Sequence, residues 1–351
     1  MIEPNEKNEN YTFVHGHDKI FHSLHNKLKR DKLGHAIIIS GKKGIGKSLI
    51  AKKFSEYLIN FTNSTTSLPN NKTIKFTNLF YCEKKTNDKG KKNKFILIDD
   101  IRKLKKFFEM SSSNNSWRVA IIDSANDLNI SASNALLKLI EEPPQKTLIL
   151  LITHRLKKLS MTLKSRCEIL KCDPLTKKDI DLILNKSDDN YYELLNENKK
   201  IILSLSNGSP GKAKKFLEHN IFNHYNTLIL SFNLEFVFDR EIIHNMLNDL
   251  LENKNNEDIF SLLKDIIVAF IYRLTIFFYR KELFFINKNE KELFLRLGKN
   301  KVNYDFLPDL YNIIEKNFEN SKILNLNEKQ TIFLALIDIE KKFQNAKLFN
   351  R

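Results

Sequence analysis

Between positions 17 and 32 the apolar residues Ile20, Leu24 and Leu28 recur every four residues, which places them on one face of an amphipathic helix. The period then changes. Ala36-Ile37-Ile38-Ile39 is a short unbroken apolar run ending in a glycine-rich turn, the pattern of a strand buried on both faces of a parallel sheet, and helical spacing resumes from Ser48 to Phe61. Further strands are predicted at Lys94–Ile98, Arg118–Asp123 and Thr147–Thr153, with helices at Asp100–Glu109 and Ser131–Glu141 between them. This alternation predicts an α/β fold on a parallel sheet. Residues 62–94, rich in Asn, Thr and Lys and containing Pro69 and Gly90, read as a surface excursion around a short strand at Asn78–Tyr81.

After Cys172 the strand pattern stops, and Pro174 marks a boundary before a helix starting at Lys177. Helical patterns fill the remainder. The expected division is an α/β domain over residues 1–173, a small helical domain over 174–218 that includes Asn207-Gly208-Ser209-Pro210-Gly211, and an all-helical domain over 219–351. The apolar stretch Ile266–Phe278 is interrupted by Arg273 and stops at Arg280 and Lys281, short of the roughly 18–20 residues of a membrane span, so it reads as a buried helix.

Composition changes this picture little. With 42% hydrophobic and 28% charged residues the chain resembles an average globular protein. The net charge of +16 is compatible with a nucleic-acid partner, and equally with AT-rich coding that favours Lys, Asn, Ile and Phe throughout. Cys82, Cys167 and Cys172 contain no CxxC pair, so neither a disulfide framework nor a four-thiolate zinc site is expected. The first residues lack the apolar stretch of a signal peptide, and a cytoplasmic protein without a membrane segment is the expectation.

Candidate chemistry begins at the first turn. Three of the chain's nine glycines fall in Gly41-Lys42-Lys43-Gly44-Ile45-Gly46-Lys47-Ser48, which fits the P-loop pattern G-x-x-x-x-G-K-[ST] between a predicted strand and a predicted helix. Glycines let the backbone bend so that its N–H groups face a phosphate, and the following helix adds the positive end of its dipole. Lys47 is then expected to neutralise the outer phosphates of ATP and Ser48 to bind Mg²⁺. Val119-Ala120-Ile121-Ile122-Asp123 is an apolar strand ending in a carboxylate, so Asp123 is the second expected Mg²⁺ residue, directly or through water.

The segment from Ile122 into Ser133-Asn134-Ala135-Leu136-Leu137-Lys138-Leu139-Ile140-Glu141-Glu142-Pro143-Pro144 resembles the bacterial clamp-loader family, whose N-A-L-L-K-x-L-E-E-P-P stretch it matches apart from Ile140 in place of Leu. The resemblance covers about residues 13–218 and extends only loosely over the rest of the chain. It implies an AAA+ RecA-like nucleotide-binding domain with a parallel sheet, a helical lid and an all-α collar. Hydrolytic AAA+ enzymes carry a Glu after the Asp; here Ser124 stands in its place, and a serine cannot deprotonate water. Thr153 takes the family's position for sensing the outer phosphate. Ser165-Arg166-Cys167 resembles the family's S-R-C motif, which implies that Arg166 reaches the ATP of a neighbouring subunit as an arginine finger. Gly208-Ser209-Pro210-Gly211-Lys212-Ala213 resembles the segment opening the second sensor helix, with Lys212 in place of arginine.

The region after the P-loop helix holds one thiol, Cys82, so the four-cysteine zinc module of the family's motor subunits is not expected, and Trp117-Arg118-Val119 onward resembles the delta-prime branch of alphaproteobacterial type. The resemblance thus implies a subunit of the DNA polymerase III clamp loader that binds ATP and Mg²⁺ with little or no hydrolysis of its own. The implied partners are motor subunits and a clamp-opening subunit in a hetero-pentamer, and through them sliding clamp and primer-template DNA. Three other readings remain open: an ATP-hydrolysing motor subunit, a stand-alone AAA+ DNA-remodelling ATPase, and a scaffold with a vestigial P-loop.

Overall fold

The computed structural model describes residues 15–61, 78–85, 95–110, 116–185, 192–233, 235–251, 257–280, 285–300, 302–324 and 326–348. The chain forms two compact units, residues 1–183 with 208–211, and residues 184–207 with 212–351. Segment 174–218, read from the sequence as one helical domain, is therefore divided between the two.

The first unit keeps the alternation of the sequence. In order it contains α1 (Asp18–Lys29), β1 (Ala36–Ser40), α2 (Lys47–Phe61), β2 (Leu79–Glu83), α3 (Ile98–Glu109), β3 (Arg118–Asp123), α4 (Ile130–Glu141), β4 (Thr147–Thr153), α5 (Met161–Arg166) and β5 (Glu168–Lys171). The strands make one parallel sheet in the order β2-β3-β4-β1-β5. Its central strands are buried on both faces, and their two-residue period divides the core in two. Ile37, Ile39, Val119, Ile121, Leu148 and Leu150 pack with Phe21 and Leu24 of α1 and Phe54 and Leu58 of α2. Ile38, Ala120, Ile122, Ile149 and Leu151 face the other way, onto Leu104 of α3 and Leu136 of α4. At about 1.5–3 kcal/mol for each large side chain removed from water, this double burial supplies the main cohesion of the unit.

Two predicted details differ. Lys94 lies outside the described residues, and the apolar run after it makes only a single parallel bridge, Ile96 to Leu128. The Asp100 carboxylate accepts the Leu97 N–H at 3.2 Å and begins α3 at Ile98. Local capping thus ends the extended run before a strand develops. Conversely, β5 has no counterpart in the apolar pattern of the sequence, because its four residues are at most half-buried and lack an apolar run. Most of segment 62–94 lies outside the described residues; within it β2 confirms a short strand, shifted to Leu79–Glu83.

Among the described residues the second unit is built of helices, with one isolated antiparallel bridge, Phe232 to Phe238. After α6 (Lys177–Asn185), whose last residues belong to it, come α7 (Tyr192–Leu205), α8 (Pro210–Glu218), α9 (Ile221–Ser231), α10 (Arg240–Leu251), α11 (Glu257–Arg280), α12 (Lys288–Lys299), α13 (Leu307–Leu324) and α14 (Glu328–Leu348). No described helix is long and apolar enough to cross a membrane. Phe232, Phe236, Phe238, Phe270 and Phe343 join α9, α11 and α14 through ring contacts of 4.6–6.4 Å between centroids. Arg273, which interrupts the apolar stretch of α11, finds its reason here. Its guanidinium grips the wholly buried Glu290 twice, at 2.5 and 2.7 Å, and the same carboxylate accepts from the Tyr225 hydroxyl and the Ile286 N–H, each at 2.7 Å.

A buried charge left without its partner costs about 3–5 kcal/mol, whereas replacing a whole network by apolar groups costs far less. Glu290→Ala is therefore expected to lose about that amount in urea unfolding. The combined Arg273→Met, Glu290→Met and Tyr225→Phe replacement should recover most of the loss.

Candidate functional site

The candidate residues converge where the central strands end. Ser40 pairs with Thr153, Ile152 with Asp123, and Asp123 with Glu83, so the P-loop, Thr153 and Asp123 emerge side by side at the carboxyl edge of the sheet. Ligands of open parallel sheets bind at this edge. The Gly41 amide donates to the Thr153 carbonyl at 3.2 Å, which fastens the start of the loop to β4.

The carbonyls of residues 42–46 each accept a hydrogen bond. Lys42 accepts from the Lys47 ammonium at 2.5 Å, Lys43 from the Ser209 hydroxyl at 3.0 Å, and Gly44 from the Gly211 amide at 3.0 Å. Ile45 accepts from His17 Nε2 at 2.7 Å and Gly46 from the Ile50 amide at 3.0 Å. A carbonyl only accepts, so His17 carries its proton on Nε2. The amides of Gly44, Ile45, Gly46, Lys47 and Ser48 donate no backbone hydrogen bond among the described residues. With these carbonyls engaged, the amides at the start of α2 are the groups left to meet an anion, as the P-loop pattern requires. The turn needs left-handed backbone at Gly44 (φ 79°) and Gly46 (φ 99°), conformations that side chains disfavour.

Lys47 is buried, and that burial pushes its ammonium pKa down to about 8 against the upward pull of Cys172 and Asp123. The next residue, Ser48, meets the hydroxyl of Tyr81 at 3.1 Å, and that hydroxyl donates to Asp123 Oδ2 at 2.9 Å. The Lys52 ammonium lies 4.6 Å from the centre of the Tyr81 ring. Ser48 and Asp123 are hard oxygen donors of the kind Mg²⁺ takes, and here one phenol already joins them.

Beyond Asp123, Asn126 ties β3 to β4. Its side-chain oxygen accepts from the Thr153 hydroxyl at 2.6 Å, the His154 amide at 3.0 Å and the Ser124 hydroxyl at 3.3 Å, and its amide group donates to the Arg155 carbonyl at 3.1 Å. Ser124 is buried in this network and its oxygen also accepts the Asn126 N–H. His154 is held neutral by burial and by the nearby Lys47, with its pKa pushed down to about 4.

The remaining candidates stand elsewhere. Arg166 ends α5 on an exposed surface, where Nε pairs with Glu141 at 2.7 Å and Nη1 donates to the Thr162 carbonyl at 3.3 Å. Lys212 belongs to the second unit, where it pairs with Asp265 at 2.9 Å and lies over the Phe216 ring. Sequence reasoning missed His17, Tyr81 and Asn126. A single His, Tyr or Asn carries no spacing signal, and their partners lie 28, 42 and 27 residues away in the chain.

A family model described as DNA polymerase III, delta subunit, matches residues 16–176. DNA polymerase III subunit gamma of Buchnera aphidicola subsp. Schizaphis graminum is 32% identical over 223 residues, which cover 60% of this chain and 58% of that protein. Subunit tau of Bacillus subtilis is 30% identical over 59% of this chain and 37% of its own length. Subunit delta' of the same Buchnera is 30% identical over 58% of this chain and 61% of its own. The chain thus spans less than two thirds of the length of each of these relatives. In a solved structure, a gamma-subunit-related protein of Thermotoga maritima aligns over 95% of this chain and 99% of its own at a TM-score of 0.44 and 19% identity.

The Lys47 pKa of about 8 makes a pH prediction. A bound phosphate favours the ammonium, so affinity for tripolyphosphate should be constant below that pH. It should fall as the pH rises through the free-state value and the lysine loses its proton. Titration calorimetry between pH 7 and 9.5 checks this, and a Lys47→Met chain should lose both the affinity and its slope.

Proposed function

We propose, from the premise that residues 16–176 belong to the DNA polymerase III clamp-loader subunit family, that the chain serves as a stator-like subunit of delta-prime type. In this role it holds ATP at Gly41–Ser48 and turns it over slowly or not at all. It donates Arg166 to the nucleotide of an adjacent motor subunit while the assembled complex places a sliding clamp on primed DNA. The observation that carries the reading is the contrast within one site. The phosphate-facing loop is complete, whereas the residue after Asp123 is a buried serine committed to Asn126. Binding needs the first, and hydrolysis needs a base that the second does not provide. Thr153, tied to the same Asn126, is the residue assigned here to sense an outer phosphate, and Lys212 is assigned the role of the second sensor.

The arginine-finger role is supported by where Arg166 stands. Its residue partners are half-exposed or backbone groups of its own surface, and an exposed pair such as Arg166–Glu141 contributes about 0–1 kcal/mol, so a neighbour's phosphate can displace it. A second reading, an ATP-hydrolysing motor, is favoured by the gamma and tau relatives, which at 32% and 30% identity lie in the same range as the delta' relatives at 29–34%.

ATP binding and turnover on the purified chain, with and without primed DNA, separate the two. Binding without turnover fits the stator reading, and sustained turnover removes it. Arg166→Ala is expected to leave melting temperature and ATP affinity of this chain unchanged and to lower ATPase of the reconstituted complex by about tenfold or more. An unchanged rate in the complex would eliminate the finger.

A further inference from the structure

In the P-loop arrangement proposed above, the loop serine and the strand-terminal aspartate are expected to be tied together through a divalent cation. Here the tie is made by protein. Asp123 can only accept, so the Tyr81 phenol proton goes to its carboxylate at 2.9 Å, and the Ser48 hydroxyl donates in turn to the phenol oxygen at 3.1 Å. Both oxygens that Mg²⁺ would take, at about 2.0–2.1 Å each, are engaged by a third oxygen of the chain. A cation entering between them has to break two hydrogen bonds, one of them to a charged acceptor.

The position of Tyr81 is set by the sheet rather than by a loose loop. Tyr81 pairs with Ile121 in the β2–β3 ladder, and the two share the sheet face that α2 covers. Ser48 and Lys52, four residues apart on that helix, meet the two ends of the tyrosine: one its hydroxyl, the other its ring. The positive charge a triphosphate requires is also at hand, from Lys42, Lys43 and Lys47 of the loop and Lys52 behind it.

We propose that the Tyr81 hydroxyl replaces the divalent cation as the link between Ser48 and Asp123, so that this site takes a nucleoside triphosphate with little dependence on Mg²⁺. Tyr81 is thereby a positioning residue: it fixes the two groups and lowers the gain from metal. The inference rests on the nucleotide-binding reading of the site, and the test distinguishes the two.

Binding of a fluorescent ATP analogue to the full chain is measured in EDTA and in excess Mg²⁺. For the wild type the two Kd values are expected to agree within about threefold, and in Tyr81→Phe, which keeps the ring over α2 but frees Ser48 and Asp123, Mg²⁺ should tighten binding by about tenfold or more. A purely structural role would shift both Kd values together and leave their ratio unchanged, which overturns the proposal. So does a wild type that already gains tenfold from Mg²⁺. If Tyr81→Phe does not melt cooperatively, Tyr81→Leu is read in its place. A folded wild type that binds in neither condition removes the nucleotide reading itself, and this inference with it.

Discussion

The site depends on one constraint: the carbonyls of a tight loop need donors of their own if its amides are to be left for a ligand. Residues 42–46 meet it with donors drawn from three places in the chain: the His17 ring, the Ser209–Gly211 turn and the first turn of α2, which supplies the Lys47 ammonium and the Ile50 amide. Removing any of these leaves a carbonyl seeking a donor and a peptide free to rotate. The Gly-rich sequence permits the turn, but the remote donors fix its direction. This explains why residues 208–211 belong to the first unit although the chain around them belongs to the second.

The second layer of the site is a set of polar groups that hold the strand ends to one another. Asn126 joins Ser124, Thr153 and the backbone at His154 and Arg155, and Tyr81 joins Asp123 to Ser48. Both residues act as braces, and both spend hydrogen-bonding capacity that a hydrolytic site would reserve for water and metal.

The helical unit is organised differently. Its core joins α9, α11 and α14 through phenylalanine rings, and the only fully buried carboxylate among the described residues, Glu290, is matched by Arg273, Tyr225 and the Ile286 amide. Ring packing is tolerant of register, whereas a four-way polar contact is satisfied in one arrangement. The charge inside α11 thus specifies where α12 begins and how it meets α9 and α11.

Periodicity made β1, β3, β4 and helices α1 to α4 legible, because a strand buried on both faces and an amphipathic helix each impose a pattern within a few residues. The P-loop was legible because its glycines, lysine and serine are contiguous, and Asp123 because it ends an apolar strand. The groups adjoining these were not. The Lys94–Ile98 run looked like a strand until Asp100 capped a helix over it, and β5 is too short and too exposed to show a pattern. Tyr81, His17 and Asn126 gain their roles only when the parallel register sets strand ends side by side and helix α2 over β2 and β3. The sequence by itself determined where the P-loop pattern lies, since its residues are contiguous. The tertiary structure alone decided which groups hold them in place, since hydrogen bonds are short and the partners meet only once the sheet has formed.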